Sequence, residues 1–299
     1  MISIVGTNGL LANEFGLFFN DIGLDVDCYG RREPVNHKFN KFSKLDLIND
    51  NLDYNALSKS EVIIYACGAG IQSNLKDSSA SIYNLNTFLP INIYNELNKI
   101  NFTGTFVTFG SCFEIGNNSS EIKFTETEVS SSSLEVPNDY CVSKRLLTRF
   151  VSSKCCKSLK HLHIILPTIY GENEASHRLI PYTVSALKKN QDMQFTSGEQ
   201  IRQYLYAGDV PKIVHELVLS KYSGIYNLAG EETYSVRNII EKIYKFYDFP
   251  LDESLFGKAG RADVGMKNLQ LDGTLIESII PFFKYSKIEE VLKLYDKCY

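Results

Sequence analysis

Short apolar runs alternate with segments of helical periodicity between residues 2 and 171 of this chain. The apolar runs are "ISIVG", "LDVDCYG", "EVIIYACG", "GTFVTFGS" and "LHIILPTIYG", and amphipathic segments such as "LLANEFGLFFNDIG" and "NTFLPINIYNELNKI" separate them. Strands joined by helices of this length form right-handed βαβ units, because two parallel strands need a long crossover connection. The pattern therefore predicts a doubly wound parallel sheet with helices on both faces.

The pattern changes near Pro167, where helical segments alternate with short aromatic-rich stretches. The helical segments are "HRLIPYTVSALKK", "VRNIIEKIYKFY" and "KIEEVLKLYDKC". We predict a smaller α/β ligand-binding region on the carboxyl edge of the sheet, where open α/β sheets bind ligands. The predicted division is 1–166, with 204–230 returning to this part, and 167–203 with 231–299 as the second part.

Composition excludes several classes of partner. The chain has 35 acidic and 31 basic residues, a formal charge of −4 and no long run of either sign, so we expect no nucleic acid or membrane partner. Seven cysteines without C-x-x-C spacing argue against a disulfide framework and a zinc site. Without a leader pattern or an apolar run of membrane length, we predict a cytoplasmic protein with no metal.

The first strand is followed by a glycine turn, "IVGTNGLLA". Gly6 would allow a tight turn, Gly9 would let a diphosphate approach the backbone, and Ala12 would let helix and strand pack closely. The turn predicts the dinucleotide-binding site of a Rossmann domain, although an ordinary strand-to-helix turn also favours glycine.

The end of the second strand, "CYGRRE", indicates which nicotinamide cofactor would bind. NAD sites usually carry an acidic residue where this chain has Gly30, whereas arginines such as Arg31 and Arg32 suit the 2′-phosphate of NADPH. A solvated basic turn is the alternative. Asp46 could meet the adenine amino group and Asn86 could begin a helix beneath the nicotinamide, but either could instead be a helix cap.

A tyrosine and a lysine four residues apart are candidates for proton transfer. Tyr140 and Lys144 in "NDYCVSKRLL" would share one helix face, with Cβ atoms about 6 Å apart. A nearby ammonium would lower a phenolic pKa of about 10 toward the range of a general acid or base. Ser111 would emerge at a strand end and could hydrogen-bond a substrate carbonyl.

Together these motifs resemble the extended short-chain dehydrogenase/reductase family of nucleotide-sugar epimerases, dehydratases and reductases. "GTNGLLA", "FGSCFEIG" and "YCVSK" are similar to its glycine, serine and Y-x-x-x-K motifs. "LPTIYG" resembles the strand beside the nicotinamide, and "SGEQIRQYLYAGDV" and "GRADV" resemble two arginine motifs. The nearest likeness is to the CDP-abequose and CDP-paratose synthase branch, which reduces 4-keto sugars.

The resemblance implies roles for residues of this chain. Ser111, Tyr140 and Lys144 would be catalytic, and Arg202 and Arg261 would hold the substrate's diphosphate. The implied cofactor-binding residues are Gly6, Asn8, Gly9, Leu10, Arg31, Arg32, Asp46, Leu47, Ala66, Cys67, Gly68, Asn86, Tyr140, Lys144, Pro167 and Ile169. The implied substrate-binding residues are Ser111, Cys112, Phe113, His177, Arg178, Arg202 and Arg261, with packing an equal alternative for His177 and Arg178.

The expected reaction is the NADPH-dependent reduction of an NDP-4-keto-6-deoxyhexose, a step in making surface polysaccharide. An NAD-dependent 4-epimerase would use the same serine, tyrosine and lysine and is the alternative; a non-catalytic nucleotide-binding relative is a third. A 4,6-dehydratase is disfavoured, because Cys112 and Phe113 stand where that branch carries an Asp-Glu pair. The family also implies a homodimer formed through helices at 86–99 and 139–156.

Overall fold

The computed structural model of the protein describes residues 1–71, 76–154, 159–230, 232–259 and 266–298. Two sheets lie within these residues, one of seven strands and one of four. The strands are Ile2–Val5 (β1), Val26–Gly30 (β2), Lys41–Lys44 (β3), Val62–Tyr65 (β4), Thr105–Ser111 (β5), Lys160–Leu166 (β6), Thr168–Tyr170 (β7), Ile201–Tyr206 (β8), Gly224–Asn227 (β9), Glu232–Ser235 (β10) and Asn268–Leu269 (β11).

The larger sheet is parallel throughout and has the order β3-β2-β1-β4-β5-β6-β9. The strand order reverses between β1 and β4, so the connections after these strands leave in opposite directions. This switch point opens a crevice at the carboxyl ends of the strands. The predicted doubly wound α/β sheet is confirmed.

Helices cover both faces of this sheet, and others pack over the smaller sheet. They are Leu10–Asp21 (α1), Tyr54–Leu57 (α2), Ser79–Tyr83 (α3), Leu89–Lys99 (α4), Glu126–Ser131 (α5), Asp139–Ser153 (α6), Leu179–Lys188 (α7), Asp209–Leu219 (α8), Val236–Phe246 (α9), Thr274–Ile279 (α10) and Ile288–Tyr295 (α11). A π-helical segment, Asn84–Phe88, joins α3 to α4, and 3-10 turns span Cys112–Ile115 and Glu253–Leu255. None of the helices in the described ranges is both long and apolar enough to cross a bilayer.

Neighbouring strand residues pack into different cores on the two faces of the sheet. Ile64 of β4 packs with Phe15 of α1 and Ile213 of α8, whereas Ile63 packs with Leu97 of α4 on the opposite face. A strand buried on both faces needs apolar residues at successive positions. This is why the sequence shows continuous apolar runs rather than alternation.

The strands of the second sheet, β7, β8, β10 and β11, all follow β6 in the sequence. β8 pairs with β7 and β11 in parallel and with β10 in antiparallel orientation. Helices α7, α9 and α11 pack together over this sheet in a separate apolar cluster. The predicted division of the chain at 166/167 with a return at 204–230 stays a prediction; α8 and β9 join the main sheet, and β8 joins the smaller one.

One strand was not predicted, and one local prediction is wrong. The stretch between β2 and β4 contains an additional parallel strand, β3, which sequence patterning missed because three of the four residues in "KFSK" are polar and the strand lies at the sheet edge. Asn86 does not begin a helix; it lies inside the π-helical segment, in the middle of a continuous helical run from α3 to α4.

Candidate active site

Two adjoining cavities lie along the crevice at the carboxyl edge of the main sheet. The first, about 430 Å³, lies at the glycine turn, and we call it the glycine-turn cavity. The second, about 450 Å³, lies at the end of β5, and we call it the tyrosine cavity. Ala66, Cys67 and Gly68, which follow β4, line both cavities.

Most residues predicted for the site line one of these cavities. The glycine-turn cavity is lined by Gly6, Asn8, Gly9, Arg31, Arg32, Asp46 and Leu47. The tyrosine cavity is lined by Ser111, Phe113, Tyr140, Lys144, Pro167, Ile169, His177 and Arg178. The fold therefore brings together residues that lie up to 172 positions apart in the sequence, from Gly6 to Arg178.

The backbone of the glycine turn is open for a diphosphate. Gly6 has a φ of +95°, and a Cβ at this position would lie 3.0 Å from the backbone nitrogen of Cys67. Gly9 is the N-cap of α1, and no side chain caps the first turn of the helix. The first N–H groups of α1 are thus available at the positive end of the helix dipole, which fits an anionic group of a dinucleotide.

The end of β2 leaves no room for an acidic side chain. A Cβ added to Gly30 would lie 2.8 Å from Oγ1 of Thr7. The same hydroxyl donates to the backbone oxygen of Arg32 at 2.7 Å, and the side chain of Asn8 donates to that oxygen at 3.3 Å. These bonds fix the chain of Arg31 and Arg32 against the glycine turn, with both side chains exposed at the cavity.

The carboxylate of Asp46 is engaged within its own turn. It accepts hydrogen bonds from the backbone of Ile48 at 3.1 Å and from the side chain of Asn49 at 2.9 Å. The bond from Ile48, then that from Asn49 and the charge of Arg31, hold the pKa of Asp46 below its usual value. The residues after Asp46 form a turn and not a helix, so the helix-cap alternative is wrong, and Asp46 lines the glycine-turn cavity.

The side chain of Asn86 is buried against protein groups. Its amide exchanges two hydrogen bonds with the backbone of Ala69, each 2.9 Å, and donates to Oγ of Ser143 at 3.0 Å. Ser143 precedes Lys144 on α6, and Ala69 follows the segment that lines both cavities. Asn86 thus connects the loop after β4 to α6, and the N-cap alternative is wrong.

Ser111 is the last residue of β5, as the sequence predicts. Its Oγ accepts a hydrogen bond from the backbone of Phe113 at 3.3 Å, which caps the 3-10 turn that follows. Its side chain lines the tyrosine cavity together with Tyr140 and partly opposes the effect of burial, which raises the pKa of that phenol. The serine and tyrosine hydroxyls therefore meet in one cavity.

Tyr140 and Lys144 lie on the first turns of α6, which Asn138 caps by accepting from the backbone of Cys141 at 3.1 Å. Burial raises the pKa of Tyr140 well above 10, opposite in direction to the effect predicted from the lysine four residues away. Burial also lowers the pKa of Lys144, whose Nζ donates to the backbone oxygen of Phe109 at 2.8 Å. Desolvation thus favours a neutral phenol, a group that can give a proton.

Glu114 is a residue of this site that sequence reasoning did not select. Its carboxyl is fully buried, and Oε1 accepts a hydrogen bond from the backbone of Ser111 at 2.7 Å. Burial raises its pKa to about 7. The spacing Ser-x-x-Glu in "SCFE" is the pattern of a capping box and could have indicated it.

Two predicted substrate residues lie behind the cavity wall. Cys112 is 1% exposed and packs in an apolar cluster with Ile115 and Leu269. Arg202, on β8, donates to the backbone oxygen of Ile201 at 2.7 Å, and its guanidinium lies 5.9 Å from the ring centre of Phe113. Phe113 lines the cavity and thus separates Arg202 from it.

Arg178 and its carboxylate partner join the cavity to the smaller region. The guanidinium of Arg178 pairs with Glu174 at 2.8 Å and donates to the backbone oxygen of Ile169 at 3.2 Å. Glu174 is buried and also accepts from the hydroxyl of Tyr295 at 2.9 Å. His177 is exposed at the same wall, whereas Arg261 lies outside the described residues.

Comparison with solved structures places the whole chain in one fold. It superposes on dTDP-glucose 4,6-dehydratase of Bacillus anthracis in complex with NAD, with a TM-score of 0.80, 14% identity and coverage of 99% of this chain and 95% of that one. DesIV, a dTDP-glucose 4,6-dehydratase of Streptomyces venezuelae with NAD bound, superposes with a TM-score of 0.80 and 16% identity, over 99% of this chain and 95% of that one. The enzyme WbmG of Bordetella bronchiseptica in complex with NAD superposes with a TM-score of 0.77 and 16% identity, over 99% of this chain and 94% of that one.

No curated protein sequence matches the chain. The profile of the NAD dependent epimerase/dehydratase family does match, over residues 2–229. This span contains β1 to β9, the segment 66–68 that lines both cavities, and Ser111, Tyr140 and Lys144. The resemblance inferred from the sequence motifs is confirmed: the chain belongs to the NAD-dependent epimerase/dehydratase family.

Proposed function

We propose that this protein reduces the 4-keto group of an NDP-4-keto-6-deoxyhexose with NADPH. The observation that carries the proposal is the chemistry of the tyrosine cavity: Ser111, Tyr140 and Lys144 meet there, and no aspartate or glutamate of the described residues lines it. The cavity thus offers groups that polarise a carbonyl and give a proton, without the carboxylates that eliminate water from a sugar.

The residues have separate tasks in this reaction. When bound, NADPH supplies the hydride that C4 of the sugar receives. Ser111 donates a hydrogen bond to the C4 oxygen, and Tyr140 transfers its phenolic proton to that oxygen as the alcohol forms. Lys144 holds the cofactor ribose and stabilises the phenolate left on Tyr140. The high pKa of Tyr140 suits this direction, because the phenol carries its proton at neutral pH.

The preference for NADPH rests on the end of β2. Thr7 fills the space beside Gly30 that an acidic side chain would need. Arg31 and Arg32 stand at the same cavity and can pair with a 2′-phosphate. The two dehydratases that share the fold were solved with NAD, so a preference for NADPH would distinguish this chain from them.

The substrate's diphosphate is proposed to bind at the cavity's outer wall. Arg178 lines this wall with its guanidinium already fixed by Glu174, and a planar donor fixed in this way suits an oxyanion. Arg202 would reach the substrate only after movement of Phe113, which covers it. The role of Arg261 stays a prediction from the family motif.

An NAD-dependent 4-epimerase is the second candidate. It would use the same serine, tyrosine and lysine, and the structural neighbours in complex with NAD favour it on the cofactor. An epimerase retains its cofactor through the catalytic cycle, whereas a reductase must exchange it after each turnover.

Two measurements test the proposal. Purified protein given a 4-keto-6-deoxy nucleotide sugar should oxidise NADPH, and do so much faster than NADH. Analysis of nucleotide released on gentle denaturation should find an empty site or NADP. Tightly bound NAD, with interconversion of two nucleotide sugars and no net oxidation of NADPH, would contradict the reductase and support the epimerase.

A further inference from the structure

A carboxyl group with no assigned task lies directly behind the catalytic serine. Glu114 is 0% exposed, and its Oε1 accepts from the backbone of Ser111 at 2.7 Å. It also lies close under the strand, since a Cβ on Gly110 would come within 2.7 Å of the same oxygen. The side chain is therefore enclosed beneath the floor of the tyrosine cavity.

Capping alone does not explain a buried carboxyl at this position. The chain contains a second capping box, Thr125 with Glu128, whose carboxylate is solvent-exposed and has a lowered pKa. Glu114 makes the same backbone bond, but burial raises its pKa to about 7, and its Oε2 has no hydrogen-bond partner among the described residues. An exposed box caps a turn without this desolvation cost, so the burial of Glu114 calls for a further role.

The buried ammonium of Lys144 approaches the same end of β5: its Nζ donates to the backbone oxygen of Phe109, two residues before the Ser111 amide that donates to Glu114. In the described part of the chain this neutral oxygen is the only hydrogen-bond partner of Nζ. Among the groups that favour its charged form, Glu114 has the largest effect and Cys67 the next. The titratable and charged groups around Glu114 are Tyr140, Cys141, Lys144 and Arg145 of α6, Cys112 of its own turn and His163 of β6.

We infer that Glu114 is a positioning residue with two effects: it fixes Ser111 through the backbone amide, and its carboxylate is the buried counter-charge that keeps Lys144 an ammonium. Only the roles of Ser111 and Lys144 in catalysis rest on the proposed function. The two effects are separable, because a glutamine at this position can still accept from Ser111 but carries no charge.

The test compares Glu114→Gln with Glu114→Ala. Loss of the negative charge should let Lys144 and Tyr140 lose their protons at lower pH. The alkaline limb of the kcat profile of Glu114→Gln should therefore shift down by about half a pH unit or more, with KM little changed. Glu114→Ala should show the same shift and a further fall in kcat of about tenfold, because Ser111 is no longer held.

The matched control is Glu14→Gln. Glu14 is another buried carboxyl with a pKa of about 7, and its hydrogen-bond partner is Asn173. The pH profile of Glu14→Gln should follow the wild type.

A Glu114→Gln enzyme with a lower melting temperature but a wild-type pH profile would overturn the inference, since a purely structural cap predicts that result. If Glu114→Ala does not fold, Glu114→Gln decides alone. Failure of the proposed function is recognised separately, as a wild-type protein that oxidises no NADPH with a 4-keto sugar. In that case NADPH affinity is measured by fluorescence titration at a series of pH values. Glu114→Gln should lose affinity at a lower pH than the wild type, and identical pH dependence in the two proteins would refute the role of Glu114 as counter-charge.

Discussion

The two cavities of this protein are built in different ways. The glycine-turn cavity is formed mainly by short segments at strand ends, among them the turn at Gly6 and Gly9 and the exposed pair Arg31 and Arg32. The tyrosine cavity is formed by side chains from β5, α6 and the segment after β6, with the buried Glu114 beneath it. The first depends on local conformation and the second on desolvation, so substitutions in each should fail for different reasons.

The largest effect is expected at the tyrosine cavity. Tyr140→Phe removes the proposed proton donor and should lower kcat by roughly 10²-fold or more, with NADPH affinity near wild type. Steady-state kinetics and cofactor titration measure the two quantities. Tyr222→Phe, at an exposed tyrosine outside the cavity, is the control and should keep wild-type turnover. A Tyr140→Phe enzyme with nearly normal kcat would remove this residue from the chemistry.

The glycine-turn cavity should instead lose binding. Gly6→Ala combines a positive φ with a Cβ 3.0 Å from the Cys67 nitrogen, so the turn must shift and NADPH affinity should fall by about tenfold or more. Gly23 also has a positive φ, +74°, but no atom within 4 Å of an added Cβ. Gly23→Ala should therefore cost about 1 kcal/mol of unfolding free energy and leave NADPH binding unchanged. Equal loss of NADPH binding in both variants would show that backbone strain, and not the shape of the glycine-turn cavity, lowers the affinity.

Charge at the same cavity should set the choice of cofactor. Arg31→Ala and Arg32→Ala should each reduce the ratio of kcat/KM for NADPH over NADH by about tenfold, because each removes a proposed charged partner of the 2′-phosphate. Kinetics with both cofactors measure the ratio, and Lys38→Ala serves as a surface-charge control. Equal use of NADPH and NADH by the wild type would contradict this assignment.

The smallest effect is the pH dependence of stability. Burial raises the pKa of Glu14, Glu114 and Glu174 from 4.5 to about 7 each. These carboxyls bind more protons in the folded than in the unfolded protein between those values, so they lower the free energy of unfolding as pH rises from about 4.5 to about 7. Burial lowers the pKa of His161 and His163, which gives the opposite slope, but three carboxyls against two histidines should leave a net fall. Urea unfolding at pH 5 and pH 7.5 measures the slope, and Glu14→Gln should reduce it. A steeper fall of stability toward acid pH would contradict the prediction.

Site residues within short motifs could be predicted from the sequence, whereas those whose burial depends on tertiary packing could not. The glycine turn, the strand-end Ser111 and the Tyr140–Lys144 pair could be predicted, because each depends on a short motif in a strand or helix whose periodicity is visible. Cys112 and Asn86 could not be placed, because a strand-end or helical residue can face either the cavity or the core. Asn86 is buried by α6 and the loop after β4, and Cys112 is buried in the apolar cluster with Ile115 and Leu269.

The sequence by itself determined the parallel α/β architecture, the dinucleotide turn and the identity of the serine, tyrosine and lysine, since all of these follow from local spacing. Tertiary structure decided the electrostatics. It buried Glu114 beside Lys144, raised the pKa of Tyr140 instead of lowering it, and placed Arg202 behind Phe113. The physical reason is that a pKa and an accessible face depend on desolvation by residues distant in the chain, which no short motif encodes.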